Sequence, residues 1–510
     1  MKTSTATRIL WSVLAGTVFV PLFTLVAAGV YGSIQWDGLA NSDLLQPFLV
    51  TRDALIDPSN LLDWYHSPSI YVFPDWIIAA FIQIAFVPAS HGLMVLIYSG
   101  AILSLYVIAF AWLMRSANIC PFPLALVYAS VVVLMVLCAT LLPGHGIADT
   151  MTMLLGTAYI HTGAIAFGIA LCTGVLEVFK EDQTSRRLLS NPTVFSSTAA
   201  FLICYSDPVA MPWFVAPSLA TMVIVSTLRR SRPPVLKLAA IFLGALAGAL
   251  VDRATRPFPV EIFSSVEAIP KALAELVRSS AAQGDILLFV SLLLVAVMAV
   301  RAIWILWRCF KERSISIERM AELLLVACTW ASLLTPIVSG ALVHPSLIRY
   351  ALPIFFLPYL WLALIAVEVM PDKLFPSAAG LAVVVWIVVL SSNWTAIIQG
   401  AGYYSRQTDL ASCLLDKGLQ HGYSDYWNSK RTMWLSGYKL HLVQLDDALE
   451  PLRYNFNERW FTQTANGEPF RPNFVLPQRL NEDALRAKFG TPTSILECSR
   501  QPVWLYDTIK

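Results

Sequence analysis

The stretch Trp76–Val87, WIIAAFIQIAFV, decides how the rest of the chain is threaded. It is apolar but for Gln83, yet at about 12 residues it is too short to cross roughly 30 Å of hydrocarbon. Three later connections are plainly basic: Lys180 to Arg187, Arg229-Arg230-Ser231-Arg232 with Lys237, and Arg308 to Arg319. Lys and Arg collect in cytoplasmic loops, so all three belong inside. Counting Trp76–Val87 as a crossing would put all three outside. The segment is therefore expected as a helix lying on the outer membrane surface, ended by Pro88.

Working outward, apolar runs able to cross the bilayer are Ile9–Tyr31, Gly92–Met114, Phe122–Leu142, Thr157–Phe179, Val194–Tyr205, Val209–Leu228, Leu238–Val251, Ile286–Trp307, Ala321–Val343, Ile348–Met370 and Ala378–Ile397. That is about eleven spans. Parity then fixes the rest. The N-terminus with Lys2 and Arg8 is inside, a long first loop over 32–91 is outside, and Arg115 marks an inside turn. Leu142 to Gly156, with the turn signal Pro143-Gly144-His145-Gly146, is a second outside loop, and Val251 to Asp285 a third. Everything after Gln399 is outside.

A composition of 57% hydrophobic and 13% charged residues, with mean hydropathy +0.64, fits a lipid-embedded chain and excludes an ordinary soluble one. The net charge of +2, with no basic run interleaved with aromatics, excludes a nucleic-acid partner. Ile9–Tyr31 is too long for the core of a cleaved signal, and Ala27-Ala28-Gly29 is a weak cleavage look-alike, so a retained first span is expected. From about Gly400 charges of both signs become frequent, and strand-like runs such as Leu440–Leu445 and Pro502–Tyr506 alternate with polar helical ones. The expectation is an all-α polytopic membrane domain over 1–398 and a soluble α/β domain over 399–510, large enough for its own core. No repeat is visible, and the spans lack the matched, interrupted halves of many transporters.

The first loop carries Asp37, Asp43, Asp53, Asp57, Asp63 and Asp75, beside a membrane face where carboxylates are expected to have little structural use. Its text runs Trp36-Asp37-Gly38-Leu39-Ala40-Asn41-Ser42-Asp43, then Arg52-Asp53-Ala54-Leu55, then His66-Ser67-Pro68-Ser69-Ile70-Tyr71. This resembles the first periplasmic loop of the GT-C glycosyltransferases, most nearly the protein mannosyltransferases and the bacterial aminoarabinose transferases. The family's loop acid falls on Asp43 and its proline turn on His66-Ser67-Pro68. Leu44 stands where a second acid often follows, and the family's double proline is reduced to Pro68. Arg349-Tyr350 opening a span, with Pro353 after it, is similar to a recurrent family feature. The resemblance implies a bacterial inner-membrane enzyme that moves a sugar from a polyprenyl-phosphate donor to a lipid, glycan or protein acceptor of the cell envelope, with inversion.

Such a transfer needs a carboxylate to take the acceptor proton, a cation for the leaving phosphate and a groove for the lipid. Asp43 is the candidate base; it can equally cap a helix beginning near Leu44. Arg349 suits a phosphate through its planar fork, or snorkels to head groups. Tyr350 and His66 join it as candidate substrate contacts. Asp149, with His145 in the second outside loop, is a further candidate contact. A divalent cation held by Asp43, Asp149 and His145 would resemble the oligosaccharyltransferase branch, although two acids and one His are a thin ligand set. No other cofactor is called for. His161 reads as a buried, hydrogen-bonded residue more readily than as a ligand, and Asp207, in Tyr205-Ser206-Asp207-Pro208, either lines the cavity or shapes a turn.

In the third loop, Asp252, Arg253, Arg256, Glu261 and Lys271 read as solvated surface. Gly244 and Gly248 form a small-residue packing face. Gly422-Tyr423-Ser424-Asp425-Tyr426-Trp427 reads as sugar contact or as core. Of eight cysteines, only Cys413 and Cys498 fall in the outer domain, where an oxidising compartment permits them to pair. The rival functions are a transporter or flippase of an envelope precursor and a non-catalytic membrane assembly protein.

Overall fold

The computed structural model describes residues 5–33, 42–67, 69–86, 91–140, 161–181, 191–231, 233–255, 269–271, 274, 286–339, 345–369 and 375–507. Every expected span forms a helix. They are α1 (Thr5–Ser33), α4 (His91–Ser116), α5 (Phe122–Thr140), α6 (Thr162–Lys180), α7 (Asn191–Ser206), α8 (Ala216–Leu228, entered through a π-helical turn at Met211–Val215), α9 (Val235–Thr255), α10 (Ile286–Glu312), α11 (Ile317–Val338), α12 (Leu357–Val369, entered through a 3₁₀ segment at Pro345–Phe355) and α13 (Phe375–Ser392). The chain is a multi-pass membrane protein: among the described residues eight helices are long and apolar enough to cross by themselves. A ninth crossing arises if α13 and α14 (Trp394–Ala401), bent by 64° at Asn393, count as one. The expected eleven are therefore present as helices, but α5 and α7 fall outside that set. At 16 residues α7 reaches only about 24 Å.

The segment Trp76–Val87 holds α3 (Ile77–Ala85), preceded by a π-helical turn at Val72–Trp76. Nine residues rise about 14 Å, half a bilayer core. Ile77, Phe81 and Ile84 point outward while Ala79 and Ile82 are buried, giving α3 one apolar face turned away from the protein. This is the form expected of a helix lying in the interface.

Glycines set the helix spacing. A Cβ on Gly244 or Gly248 of α9 would come within 2.5 Å of the Ser197 carbonyl oxygen or 2.3 Å of that of Phe201, both on α7, so the small-residue face is a backbone-to-backbone contact. The closest approach joins α1 to α14. A Cβ on Gly32 would lie 1.8 Å from the Ala396 oxygen, and one on Gly400 would lie 1.6 Å from the Ala28 oxygen. The first loop leaves from the end of α1 and the C-terminal domain from the end of α14, so this crossing delivers both to one place. Asp252, expected on an exposed loop, instead sits in α9 and is buried, because the helix continues to Thr255.

The C-terminal domain follows α15 (Tyr403–Asp416). It is built on a mixed five-stranded sheet ordered β3 (His441–Leu445), β2 (His421–Asp425), β5 (Phe474–Val475), β7 (Gln501–Leu505), β6 (Ser494–Cys498). β2 runs parallel to β3 and β5; β7 is antiparallel to β5 and β6. Helix α16 (Tyr426–Leu435) links β2 to β3, and α17 (Glu482–Phe489) precedes β6. A separate two-residue pairing, β1 (Trp64–Tyr65) with β4 (Phe456–Asn457), joins the first loop to this domain, together with helix α2 (Ser42–Ile56) packed on α16.

Cys413 at the end of α15 and Cys498 of β6, 85 positions apart in sequence, form a disulfide with Cα atoms 5.6 Å apart. A loop of that length, closed in the unfolded chain, is worth about 4–5 kcal/mol by chain entropy. Cys413→Ser is expected to lower the thermal midpoint of the detergent-solubilised protein, and reductant to lower the wild type to the same value. Unchanged melting in both cases would remove the bridge from the domain's stability.

Candidate active site

Asp43 lies in the first turn of α2, where the first loop meets the C-terminal domain. Its carboxylate accepts hydrogen bonds from the Tyr426 phenol and, at 3.3 Å, from Asn455 Nδ2. Beside it, the Ser42 hydroxyl donates to the Tyr426 carbonyl. Tyr426 is delivered by local chemistry. Asp425 ends β2 and caps α16 by accepting from the amides of Trp427 (2.9 Å) and Asn428 (3.3 Å), which makes Tyr426 the first residue of the helix. Asn455 holds its place with a left-handed φ of 50°, a conformation that asparagine tolerates. The Gly422–Trp427 run thus serves as core and cap, and its Tyr426 reaches the loop acid.

From Asn455 a hydrogen-bonded thread continues inward. Asn455 Oδ1 accepts from the Ser67 amide at 2.7 Å, the Ser67 hydroxyl donates to the Ser69 carbonyl at 2.5 Å, and the Ser69 hydroxyl donates to Asp207 Oδ1 at 2.8 Å. Asp207 Oδ2 meets His161 Nδ1 at 2.5 Å. The loop backbone is fastened to the same turn, Tyr71 N–H to the Ser206 carbonyl (3.0 Å) and Phe73 N–H to the Ser206 hydroxyl (2.9 Å). Asp207 also accepts from the Val209 amide at 3.3 Å, so it shapes its turn and joins the thread. His161 is buried and paired, and Tyr71, Trp213 and Tyr350 surround it at ring distances of 5.6, 5.5 and 5.4 Å.

Arg349 lies over the Tyr350 ring, 5.4 Å from its centroid, in the 3₁₀ segment that enters α12. Its charge is felt by two phenols, Tyr71 and Tyr454. Burial pushes Tyr71 well above the usual tyrosine range, with Asp207 adding and Arg349 opposing. Burial likewise raises Tyr454, with Asp43 adding and Arg349 opposing. Tyr454 packs 5.5 Å from Tyr426. Asp43, Arg349, Tyr350 and Asp207 are therefore linked through Tyr426, Tyr454, Tyr71 and His161. His66 is half-buried between Trp64 and Trp76; the thread runs through its neighbours Ser67 and Ser69.

The other loop acids have structural partners, contrary to expectation. Asp57 caps a 3₁₀ turn, Asp63 pairs with Arg459 at 3.0 Å, Asp75 accepts from the Tyr98 phenol, and Asp53 accepts from Trp64 Nε1 (3.1 Å) and Asn457 Nδ2 (3.0 Å). Docking the loop onto a folded domain supplies donors that a bare membrane face would not. Asp37, Pro68, His145 and Asp149 lie outside the described residues, and with the last two lies the proposed cation set. Among the described residues no three His, Cys, Asp or Glu side chains converge as a metal site would require.

A solved structure, the crystal structure of ArnT from Cupriavidus metallidurans bound to undecaprenyl phosphate, matches with a TM-score of 0.50 over 98% of this chain and 98% of that one, at 13% identity. The chain shares the fold of that protein over nearly its whole length. At that identity the likeness establishes architecture and leaves chemistry to the residues. No family model matches the sequence, and no curated protein does.

Asp53 gives the seam between loop and domain a pH dependence. Burial outweighs the nearby Arg52 and raises its carboxyl from 3.8 to about 6. Folding therefore favours the protonated form: this stabilisation is complete below the unfolded value and is lost as pH rises through about 6. The change amounts to roughly 3 kcal/mol, since each tenfold change in proton affinity is worth about 1.4 kcal/mol. Asp53→Asn is expected to flatten that part of the stability profile between pH 4 and 7. An unaltered slope in thermal melts would place the dependence elsewhere.

Proposed function

We propose that this protein is an inverting glycosyltransferase that moves a sugar from a polyprenyl-phosphate donor to a cell-envelope acceptor at the outer face of a bacterial inner membrane. The observation that carries the reading is the placement of the Asp43 carboxylate: held by Tyr426 and Asn455 at the loop–domain seam, on one hydrogen-bonded thread with Asp207 and His161, and sharing the Tyr454 neighbourhood with the Arg349 guanidinium. In the reaction an acceptor hydroxyl or amine attacks the anomeric carbon from the face opposite the phosphate. The new bond forms as the sugar–phosphate C–O bond breaks, which inverts the centre. Asp43 takes the acceptor proton, and Arg349 neutralises the charge left on the phosphate, with Tyr350 and His66 on the substrate side. The similar fold of a protein crystallised with undecaprenyl phosphate supports a lipid-linked donor.

The orientation belongs to the same proposal. With the basic connections inside, the first loop and the C-terminal domain both face the periplasm, where lipid-linked donors are used. Transport is the weaker reading. Helices α13 and α14 are a single bent pair, without a matched counterpart among the described residues.

Two measurements test the proposal together. Mass spectrometry of envelope glycans and lipids from a deletion strain is expected to show one missing sugar and an accumulated polyprenyl-linked donor. Complementation with Asp43→Asn, which keeps the shape but cannot take a proton, is expected to restore about 10² to 10⁴ less transfer than wild type. An unchanged inventory in the deletion strain would refute glycosyl transfer; full restoration by Asp43→Asn would remove Asp43 as the base.

A further inference from the structure

Lys430 is four residues after Tyr426 on α16, so the two side chains share a helix face. The lysine is fully buried, its Nζ lies 4.1 Å from the centre of the Tyr426 ring, and no hydrogen-bond acceptor reaches that nitrogen among the described residues. A buried ammonium without an acceptor is costly, so its persistence in a domain core asks for a reason.

The elements packed against α16 account for their own charges. From α2, Arg52 lies over the Tyr438 ring at 3.6 Å and Asp53 is held by Trp64 and Asn457. From α4, His91 packs edge-on to Trp434. α15 turns Asp409 and Asp416 to solvent. From β2, Asp425 caps α16, His421 accepts from the Arg471 amide and Tyr423 stacks on Phe489; from β3, His441 bonds the Trp460 carbonyl. On α16 itself Arg431 donates to Asn428 at 2.6 Å, and Tyr454 packs 5.5 Å from Tyr426. The remaining charge is Asp43, reached through the Tyr426 phenol. Burial pushes the Lys430 amine down to about 7, and the Asp43 charge opposes that fall.

We propose that Lys430 is a positioning residue for Asp43: its charge on the face of Tyr426 strengthens the phenol's hydrogen bond to the Asp43 carboxylate and so keeps that carboxylate aimed. A cation on the face of Tyr426 draws density from the ring and strengthens its hydroxyl as a donor to Asp43. When Lys430 is neutral that support is withdrawn. The role rests on Asp43 being the base.

The test uses the full chain in detergent, with ¹³C-labelled lysine and the Lys430 resonance assigned by its loss in K430R. Its titration midpoint is expected to fall by about one pH unit, a tenfold change in proton affinity, in D43N. Conversely, the infrared carboxylate stretch of Asp43 at neutral pH, assigned by its loss in D43N, is expected to shift in K430M, as its hydrogen bond from Tyr426 weakens, and to return to the wild-type position in K430R. A lysine that merely fills space would move neither signal. If D43N leaves the Lys430 midpoint unchanged, the coupling is refuted, whether or not K430M folds. The two levels of failure separate: D43N retaining full sugar transfer removes the base and with it this role, whereas unmoved signals in an enzyme that D43N inactivates remove the role of Lys430 alone.

Discussion

The arrangement of the first loop against the C-terminal domain depends on one contact, the backbone crossing of α1 and α14 at Gly32 and Gly400. Neither position has room for a side chain, since any Cβ would sit inside the opposing carbonyl. In lipid, where burial of apolar surface does little to bring helices together, such close approach supplies the dispersion contact that fixes a helix pair. The consequence is positional. The chain leaves α1 into its first loop and leaves α14 into its last domain, so the two segments emerge side by side although nearly four hundred residues separate them. The β1–β4 pairing, the Asp53 seam and the Asp43–Tyr426 contact all presuppose that adjacency.

The described acids of the first loop show how environment sorts one residue type into several uses. Asp57 remains in water and caps a turn, and its backbone bond to Ser59 holds its carboxyl below the usual range. Asp53 has two side-chain donors and a guanidinium nearby, yet burial prevails and the group is pushed toward its neutral form. Asp63 pairs with Arg459 at a half-exposed site, where such pairs contribute little. Asp43 differs in kind. It accepts from a phenol and an amide, which orient the carboxylate, and a lysine whose own charge is marginal lies on the face of that phenol.

How much of this was legible follows the range of each interaction. The membrane helices were readable because a run of some twenty apolar residues is a local signal, and α3 because its shortness is equally local. Asp43 could be singled out from the loop text. Its partners could not: Tyr426 and Asn455 lie 383 and 412 positions away, and nothing in the neighbouring residues announces a contact across that distance. The same blindness made Asp53 and Asp63 look like spare charges, since Asn457 and Arg459 come from the C-terminal domain. Asp252 was misplaced for a smaller reason: a helix end is set by hydrogen bonding, and the apolar run stops one residue before it at Val251.

Building the candidate site from two halves has a physical advantage over placing it wholly within the membrane domain. A carboxylate inside the helix bundle would be desolvated and pushed toward its neutral form, the direction in which burial shifts Asp53 even at the seam, and a neutral acid is no base. One exposed at the bilayer surface would be ionised but unoriented, and open to water that competes with the acceptor. Closing a folded domain over the loop gives a third condition, in which Tyr426 and Asn455 replace the lost hydration with fixed donors and Lys430 returns part of the lost electrostatic support. The disulfide that closes the domain and the glycine contact that anchors it then matter to chemistry as well as to stability, because both determine how firmly those donors are held against the membrane half.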